Sequence, residues 1–348
     1  MDRYLRQWGG DGPLAAERVI EAAFENGIRL FETARWYGDN EARIGTALQG
    51  RCSECYFVSK TLRRDAASVS ADVDESLRAL LTDYIDVYLI HHVQWEDELQ
   101  AVLSPDGALE GLRQAQAEGK IGFVGIAGHR PELLRTALGT GKFDVVEVPC
   151  NVLDPWIFRE VLPVAKQFDV GMIAMKAIAG GQLSEHAVTA LRFALGQPSD
   201  SLVVGMSTVK QVQIDIAETL MFEQMGKEEQ QRLVEGSLYL GDLLCRLECG
   251  DRCISLCPAA VPISDILRLE RYRAMYKSGH WAKAEYRRLG LPAEICSACS
   301  GYCGEACLFE LPVREMLRSA HDALSALITD YEIAQHGGGG AIAKEIAQ

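Results

Sequence analysis

Apolar runs alternate with helical stripes along the first two-thirds of the chain. After Pro13, the residues Ala16, Val19, Ile20, Ala23 and Phe24 share one face at helical spacing, and Gly27 closes that helix. Short runs that are apolar on both faces then recur at Ile28–Phe31, Tyr56–Ser59, Ile85–Ile90, Ile121–Ile126, Val145–Val148, Met172–Met175 and Leu202–Val204. Amphipathic stretches separate them, with stripes such as Val73, Leu77, Leu80, Leu81 and Ile157, Val161, Val164, Ala165, Phe168. Strands apolar on both faces and alternating with helices predict right-handed βαβ units and a parallel sheet. Seven strands by Gly205 fit an α/β fold, a (β/α)₈ TIM barrel whose first strand is short or missing. Only Leu5–Gly10, within a Gly-rich opening segment, is left to supply that strand. No Gly-x-Gly-x-x-Gly turn follows the first strand, which argues against a Rossmann dinucleotide site.

The rhythm stops after a helix from Lys210 to Leu220, and a charged segment, Glu223 to Arg232, marks the boundary. Beyond it the pattern predicts a helix through Leu233, Leu238 and Leu244, and another after Pro262. A last helix carries Met316, Leu317, Ala320, Leu324, Leu327 and Ile328 on one face. His336–Gly340 opens a tail of linker composition. The predicted organisation is a barrel over residues 1–222, a small, mostly helical, Cys-rich domain over 223–332 and a flexible tail over 333–348. No repeat shows beyond the βα unit itself.

Composition narrows the class. A net charge of -14 argues against nucleic acid and anionic membranes as partners, since both need a basic face. No apolar run reaches signal-peptide length near the start or the ~20 residues of a membrane span, so a cytoplasmic protein is expected. Cysteine is the anomaly: eight of the 11 lie between Cys245 and Cys307. A reducing compartment disfavours so many disulfides in so small a region, so the cluster suggests metal.

Chemistry-bearing residues gather at predicted strand ends. The first strand runs into Glu32 and Tyr37, the second into Lys60, and the third into His91 and His92. Singly, each has an ordinary reading as a solvated strand end or a hydrogen-bonded core residue. Together, a carboxylate, a phenol, an ammonium and an imidazole at three successive strand ends form a proton-transfer site. Tyrosine, with a pKa of about 10, becomes a better acid beside an ammonium.

From Pro13 to Leu220 the chain resembles the aldo/keto reductase family. The likeness rests on Phe31-Glu-Thr-Ala-x-x-Tyr37-Gly38 with Glu41 and Gly45 following, Val58-Ser-Lys-Thr61, Asp86-x-x-Leu-Ile-His91 and Gly122-Phe-Val-Gly-Ile126. It continues through Val146-Glu-Val-Pro-Cys-Asn151, Gly171-Met-Ile-Ala-Met-Lys176 and Val204-Gly-Met-Ser207. The resemblance implies NADP or NAD bound without a Rossmann domain and a small-molecule carbonyl substrate. Within it Tyr37 is the acid, Lys60 its neighbour, Glu32 the residue that holds Lys60, and His91 the one that orients the substrate oxygen. It also implies a cofactor site at Ala127, Glu147, Asn151, Lys176, Gly205, Ser207, Lys210, Gln211 and Asp215. Departures are visible. Glu32 stands for the family's aspartate, Ala127-Gly128 for a Ser-Asn pair, and Glu147 for a glutamine; Lys210 is the one cation near the adenosine phosphate position. Trp36, His92, Trp95, His129 and Trp156 are candidate pocket linings. These departures support a rival reading, a catalytically degenerate cofactor-binding or electron-relay protein on the same barrel, whereas Tyr37, Lys60 and His91 oppose it.

The clustered cysteines form two sets, Cys245, Cys249, Cys253, Cys257 followed by Pro258, and Cys296, Cys299, Cys303, Cys307. They resemble a two-cluster ferredoxin domain, which some bacterial aldo/keto reductase homologues carry after the barrel. The resemblance implies two 4Fe-4S clusters and a redox partner. Each set departs from the ferredoxin spacing. Zinc also takes tetrathiolate sites, and a cysteine every four residues is the spacing of a packed helix face; the sequence leaves all three open. Cys52 and Cys55 precede a strand rather than open a helix, so they read as structural, and Cys150 reads as core.

Overall fold

The structure, a computed structural model, describes residues 13–153, 160–233, 245, 252–274, 279–290 and 292–327. The chain divides into two compact units. One comprises Met1–Asn151, Trp156–Ala177 and Ala187–Met225; the other comprises Val152–Pro155, Ile178–His186 and Gly226–Gln348.

The first unit holds seven strands: β1 (Leu30–Glu32), β2 (Tyr56–Thr61), β3 (Ile85–Ile90), β4 (Ile121–Ala127), β5 (Val145–Pro149), β6 (Gly171–Met175) and β7 (Ser201–Leu202). They pair in parallel in chain order, β1 to β7, in one curled sheet. Helices α1 (Pro13–Glu25), α2 (Asn40–Ala47), α3 (Ala66–Leu80), α4 (Glu96–Leu103), α5 (Ala108–Ala117), α6 (Pro131–Gly139), α7 (Leu162–Gln167), α8 (Ala187–Leu195) and α9 (Val209–Leu220) alternate with them. Gly27, at φ 98°, takes the left-handed turn that ends α1, as its position in the pattern predicts. Among the described residues no ladder joins β7 to β1, yet α9 packs on α1. The segment Leu5–Gly10, expected to supply a first strand, lies outside the described residues.

Side-chain parity explains where the chemistry sits. Successive strand residues face opposite sides. Phe57, Tyr88, Ile90, Val124, Ile126, Val146, Val148 and Met172 join the core shared with the helices. The other parity forms a second cluster of Val58, Leu89, Ala127, Val145 and Ile173, with Leu30 and Val87 packed against it. Glu32, Lys60, His91 and Glu147 continue that inner parity two residues beyond Leu30, Val58, Leu89 and Val145. Polar groups therefore cap an apolar inner layer at the carboxyl ends of the strands. One difference from the sequence pattern matters here. Lys60 lies inside β2 rather than past its end, because pairing with β3 persists to Thr61 opposite Ile90. Gly45 lets α2 meet α3: a Cβ there would overlap the backbone of Ala79 and Leu80.

The second unit contains α10 (Arg252–Ser255), α11 (Ile263–Ala274), α12 (Gly279–Arg288), α13 (Tyr302–Glu305) and α14 (Val313–Ser325). Its core includes Ile266, Tyr286, Leu317, Ala320, Leu324 and the buried Cys253, Cys296 and Cys303. The last helix ends at Ser325, so Leu327 leaves the apolar face and is 82% exposed, against expectation. The predicted residues Leu238, Leu244, Ile328 and the tail lie outside the described residues. The structure also shows a repeat built on the two cysteine sets, which the sequence reading did not identify. Cys253, Cys257, Ala260 and Ile263 match Cys303, Cys307, Glu310 and Val313 at a constant offset of 50. In both copies a one-turn helix holds the first cysteine, and the residue before the buried Val261 or Leu311 turns left-handed (φ 49° at Ala260, 53° at Glu310). A longer helix follows. Val261-Pro262-Ile263 and Leu311-Pro312-Val313 also correspond, while the side chains between the cysteines differ.

Among the described residues no helix is long and apolar enough to cross a membrane.

Candidate active site

The loop after β1 is tied down before it delivers Tyr37. Arg35 N donates to Lys60 O at 3.0 Å and Tyr37 N to Ala34 O at 2.9 Å. The Arg35 guanidinium reaches Glu41 at 2.5 Å and also pairs with Glu75. Glu41 is buried and its other oxygen accepts from Ser59 Oγ at 2.6 Å, linking the start of α2 to β2. Tyr37 emerges from this frame 38% exposed.

Lys60 is the centre of the site. Its ammonium, 1% exposed, contacts Glu32 Oε1 from β1, and Glu147 Oε2 from β5 at 3.1 Å. Glu147 Oε1 accepts at 3.4 Å. The same Nζ lies 5.5 Å from the Tyr37 ring centroid. Burial holds the Lys60 ammonium below its ordinary pKa, and the charge and hydrogen bonding of Glu147 oppose that. His91 meets Tyr37 edge to face, with centroids 5.9 Å apart. Burial, then the positive charges of Lys60, His92, Arg64 and Lys176, hold its imidazole well below 6.5. Its Nδ1 is buried with no hydrogen-bond partner among the described residues, so a polar atom at this strand end is left for a ligand.

The imidazoles continue along the strand ends. His91 and His92 lie 6.0 Å apart, and His92 and His129 5.3 Å. His129 Nε2 is 2.8 Å from Lys176 Nζ, and its Nδ1 3.4 Å from Gln94 Nε2. Two of these residues stand in the left-handed region, His92 at φ 61° and Lys176 at φ 59°. That conformation costs roughly 1–2 kcal/mol for a residue with a side chain. Each has a restraint. His92 N donates to Ala127 O at 2.8 Å, and Arg64 donates to the carbonyls of His91 and His92 at 3.0 and 3.2 Å. Asn151 Nδ2, fully buried, donates to Lys176 O at 2.9 Å.

The residues expected in a cofactor site divide into two groups. Ala127, Glu147, Asn151 and Lys176 stand at the ends of β4, β5 and β6, at the same end of the sheet as Tyr37. Glu147, placed by the resemblance on the cofactor, lies on Lys60. Gly205 and Ser207 follow β7, and Lys210, Gln211 and Asp215 belong to α9. The Gln211 side chain caps its own helix: Oε1 accepts from Ser207 N at 2.7 Å and Thr208 N at 3.1 Å. Lys210 is exposed in the first turn. Burial, then the negative charge of Glu218, push Asp215 up to about 6. Of the pocket linings, Trp36 is half-buried, Trp95 stacks near Arg130 at 5.8 Å, and Trp156 lies outside the described residues. The sequence reading missed Arg64 and the Lys176–His129 pair; an arginine four residues past Lys60 was the available signal for the first.

Cys52 and Cys55 sit at the opposite end of the sheet, beside an open cleft of about 890 Å³ lined also by Tyr56 and Asp86. Burial pushes the Cys55 thiol up to about 11 and Cys150 up to about 12, as inert structural thiols.

In the second unit, Cys245, Cys253, Cys257, Cys296, Cys299, Cys303 and Cys307 are free thiols, while Cys249 lies outside the described residues. Among the described residues no three side chains converge into a ready metal-holding group. Proximity nevertheless crosses between the sets. Burial, then the charges of Cys303, Cys257 and Cys299, push Cys296 up to about 11. Backbone N–H groups point at sulfur, Val261 N to Cys257 Sγ and Gly301 N to Cys299 Sγ, both at 3.4 Å.

A model of the Aldo/keto reductase family matches residues 6–192. Over 191 residues the chain is 28% identical to the aldo-keto reductase YhdN of Bacillus subtilis, covering 51% of this chain and 56% of that protein. It thus spans about half the length of that relative. Over 268 residues it is 26% identical to L-galactose dehydrogenase of Arabidopsis thaliana, covering 63% and 83%. Among solved structures it resembles aldo-keto reductase AKR11C1 from Bacillus halodurans in its holo form, with TM-score 0.57, 22% identity and coverage of 65% and 88%. An aldo-keto reductase from Klebsiella pneumoniae in complex with NADPH gives TM-score 0.54 at 21% identity, covering 64% and 84%. At these identities the structural likeness speaks to the fold.

Proposed function

This chain belongs to the aldo/keto reductase family, and on that premise we propose that it is an NADP- or NAD-dependent oxidoreductase that reduces an aldehyde or ketone. The observation that carries the reading is the convergence of Tyr37, Lys60, Glu32 and His91 at one end of the sheet. When bound, a reduced nicotinamide supplies the hydride that reaches the carbonyl carbon. The residues do the rest. The Tyr37 hydroxyl gives its proton to the carbonyl oxygen, which becomes the alcohol. Lys60 lies close enough to stabilise the phenolate left behind. His91, neutral at pH 7, orients the oxygen without adding a charge. Tyr37 is exposed enough to regain its proton from water.

We assign the cofactor to Ala127, Asn151 and Lys176 at the nicotinamide end. The first turn of α9, with Ser207 and Lys210, is assigned to the phosphate end, where a helix N-terminus favours an anion. The unpartnered Nδ1 of His91 fits a site completed by ligand. On this reading the seven strands belong to a (β/α)₈ barrel with its first strand short or missing, and residues 1–222 form the reductase domain. Residues 223–332 form a helical domain whose cysteines hold iron–sulfur clusters serving a redox partner. Cys257 would share one cluster with Cys296, Cys299 and Cys303. The remaining cysteines, Cys245, Cys249, Cys253 and Cys307, would hold the other, supplying one-electron chemistry. The backbone repeat and the proximity of Cys257 to the second set support this pairing.

The experiment is Tyr37→Phe, assayed with simple aldehydes alongside a nicotinamide fluorescence titration. Turnover should fall about 10²–10⁴-fold with cofactor affinity retained. An unchanged turnover number would remove Tyr37 from its role.

A further inference from the structure

Lys60 points into the sheet interior between two carboxylates of unlike standing. Glu32 comes from the neighbouring strand β1 and is 17% exposed. Glu147 comes from β5, three strands along, and is 1% exposed, like Lys60 itself. The curl of the sheet lets the two side chains meet across the inner layer, and both Glu147 oxygens lie near the ammonium, at 3.1 and 3.4 Å. The Glu32 oxygen on the ammonium is itself buried, but its side chain as a whole is partly open to solvent, whereas Glu147 is enclosed. Water screens a partly exposed ion pair more than an enclosed one.

We propose that Glu147, rather than Glu32, is the principal counter-ion of Lys60, a positioning residue that keeps this ammonium charged and fixed beside Tyr37. The kinetic part of the proposal rests on the reading of Tyr37 as the acid; the electrostatic part does not. Four groups face Lys60: Glu32 from β1, Tyr37 from the loop after it, His91 from β3 and Glu147 from β5. Of these, the two carboxylates favour the charged amine most strongly, with a weaker cation–π contribution from the Tyr37 ring. Burial favours the neutral amine, so losing the enclosed carboxylate leaves the ammonium to Glu32 alone, whose side chain is partly open to solvent. A family glutamine at this position would donate and accept hydrogen bonds without balancing that charge. The inner charge pair is therefore a feature of this chain's own sequence.

The test titrates Lys60 directly, by NMR of lysine-labelled protein without cofactor, with the resonance assigned from Lys60→Arg. The parent protein is compared with Glu147→Gln, Glu147→Asp and Glu32→Gln. In Glu147→Gln the Lys60 midpoint should drop at least about one pH unit further than in Glu32→Gln, a tenfold weaker hold on the proton. Glu147→Asp, which keeps the charge, should stay near the parent. The alkaline fall of carbonyl reduction should move to lower pH in the same order, whereas a merely structural strut would cost stability and leave that limb in place. Should Glu147→Gln not fold, Glu32→Gln still decides: a small shift there supports the proposal, and a shift of a unit or more overturns it. An equal or larger shift in Glu32→Gln than in Glu147→Gln overturns it too. Protein that turns over no carbonyl would sink the proposed function, while the titration would still judge Glu147.

Discussion

An ammonium that is 1% exposed stays charged only where its surroundings repay the water it has lost, and Lys60 has a carboxylate on each side. Burial acts in the same sense on His91, but there the neighbours add to it, since cations and no carboxylate are among the groups that shift it. Its imidazole is held well below 6.5, so the folded state prefers it neutral. The sign follows: the stability it contributes is fully present above about 6.5 and declines as pH falls below that toward the folded value. Replacing it as His91→Gln keeps a neutral polar side chain and removes the titration. Between about pH 7.5 and about pH 5 the parent protein should lose on the order of 1 kcal/mol more stability than the variant. Denaturant unfolding at each pH measures this, and equal losses would mean that His91 is not a buried neutral imidazole. Glu32, Tyr37, Lys60 and His91 were legible in the sequence because each stands at or just after the carboxyl end of an apolar run. The Glu147–Lys60 contact was not, since it spans three strands and depends on how far the sheet curls, which no local pattern encodes.

The order of the strands in the first unit was legible, because burial on both faces leaves an uninterrupted apolar signature. Their ends were less so: β1 and β7 are shifted from Ile28–Phe31 and Leu202–Val204, and Leu81 of one predicted stripe is exposed just past its helix. Lys60 falls inside β2, where pairing with β3 persists to Thr61, although a polar side chain at an enclosed strand end looks, in sequence, like the start of a loop. Gln211 shows the same limit: its likeness to a ligand-binding position says nothing of the capping box it forms with Thr208. Farther along α9, Asp215 is pushed up to about 6 by burial and then by Glu218. A carboxyl raised in the fold contributes stability that is fully present below its ordinary range and is lost as pH rises through about 6. Asp215→Asn should therefore raise the melting temperature by about 2–4 °C near pH 7.5, and leave it unchanged near pH 4. Thermal unfolding followed by circular dichroism at both values is the check. A gain of equal size at both would point to hydrogen bonding rather than charge.

At the scale of the whole chain, two units rest on different sources of order. The first buries a continuous apolar core between sheet and helices. The second has a smaller core in which Cys253, Cys296 and Cys303 are themselves buried members. Thiols in such positions pack adequately as small apolar groups, but they do not require a duplicated backbone path or N–H groups aimed at sulfur. The metal proposed for this domain would account for both, because ligand binding energy becomes folding energy. Protein made and kept without oxygen should accordingly carry iron and acid-labile sulfide, about eight irons per chain if every cysteine of both sets ligates, with broad visible absorption. The double change of Cys253 and Cys303 to Ala should lose iron and open residues 245–307 to proteases. Because Cys253 and Cys303 fall in different proposed clusters, each single change should remove roughly half of the iron, with the other half retained. Zinc in place of iron would keep the folding argument and remove the redox role. Colourless anaerobic protein that binds neither metal and resists proteolysis across 245–307 would make the cysteines packing residues and the duplicated path a matter of core geometry alone.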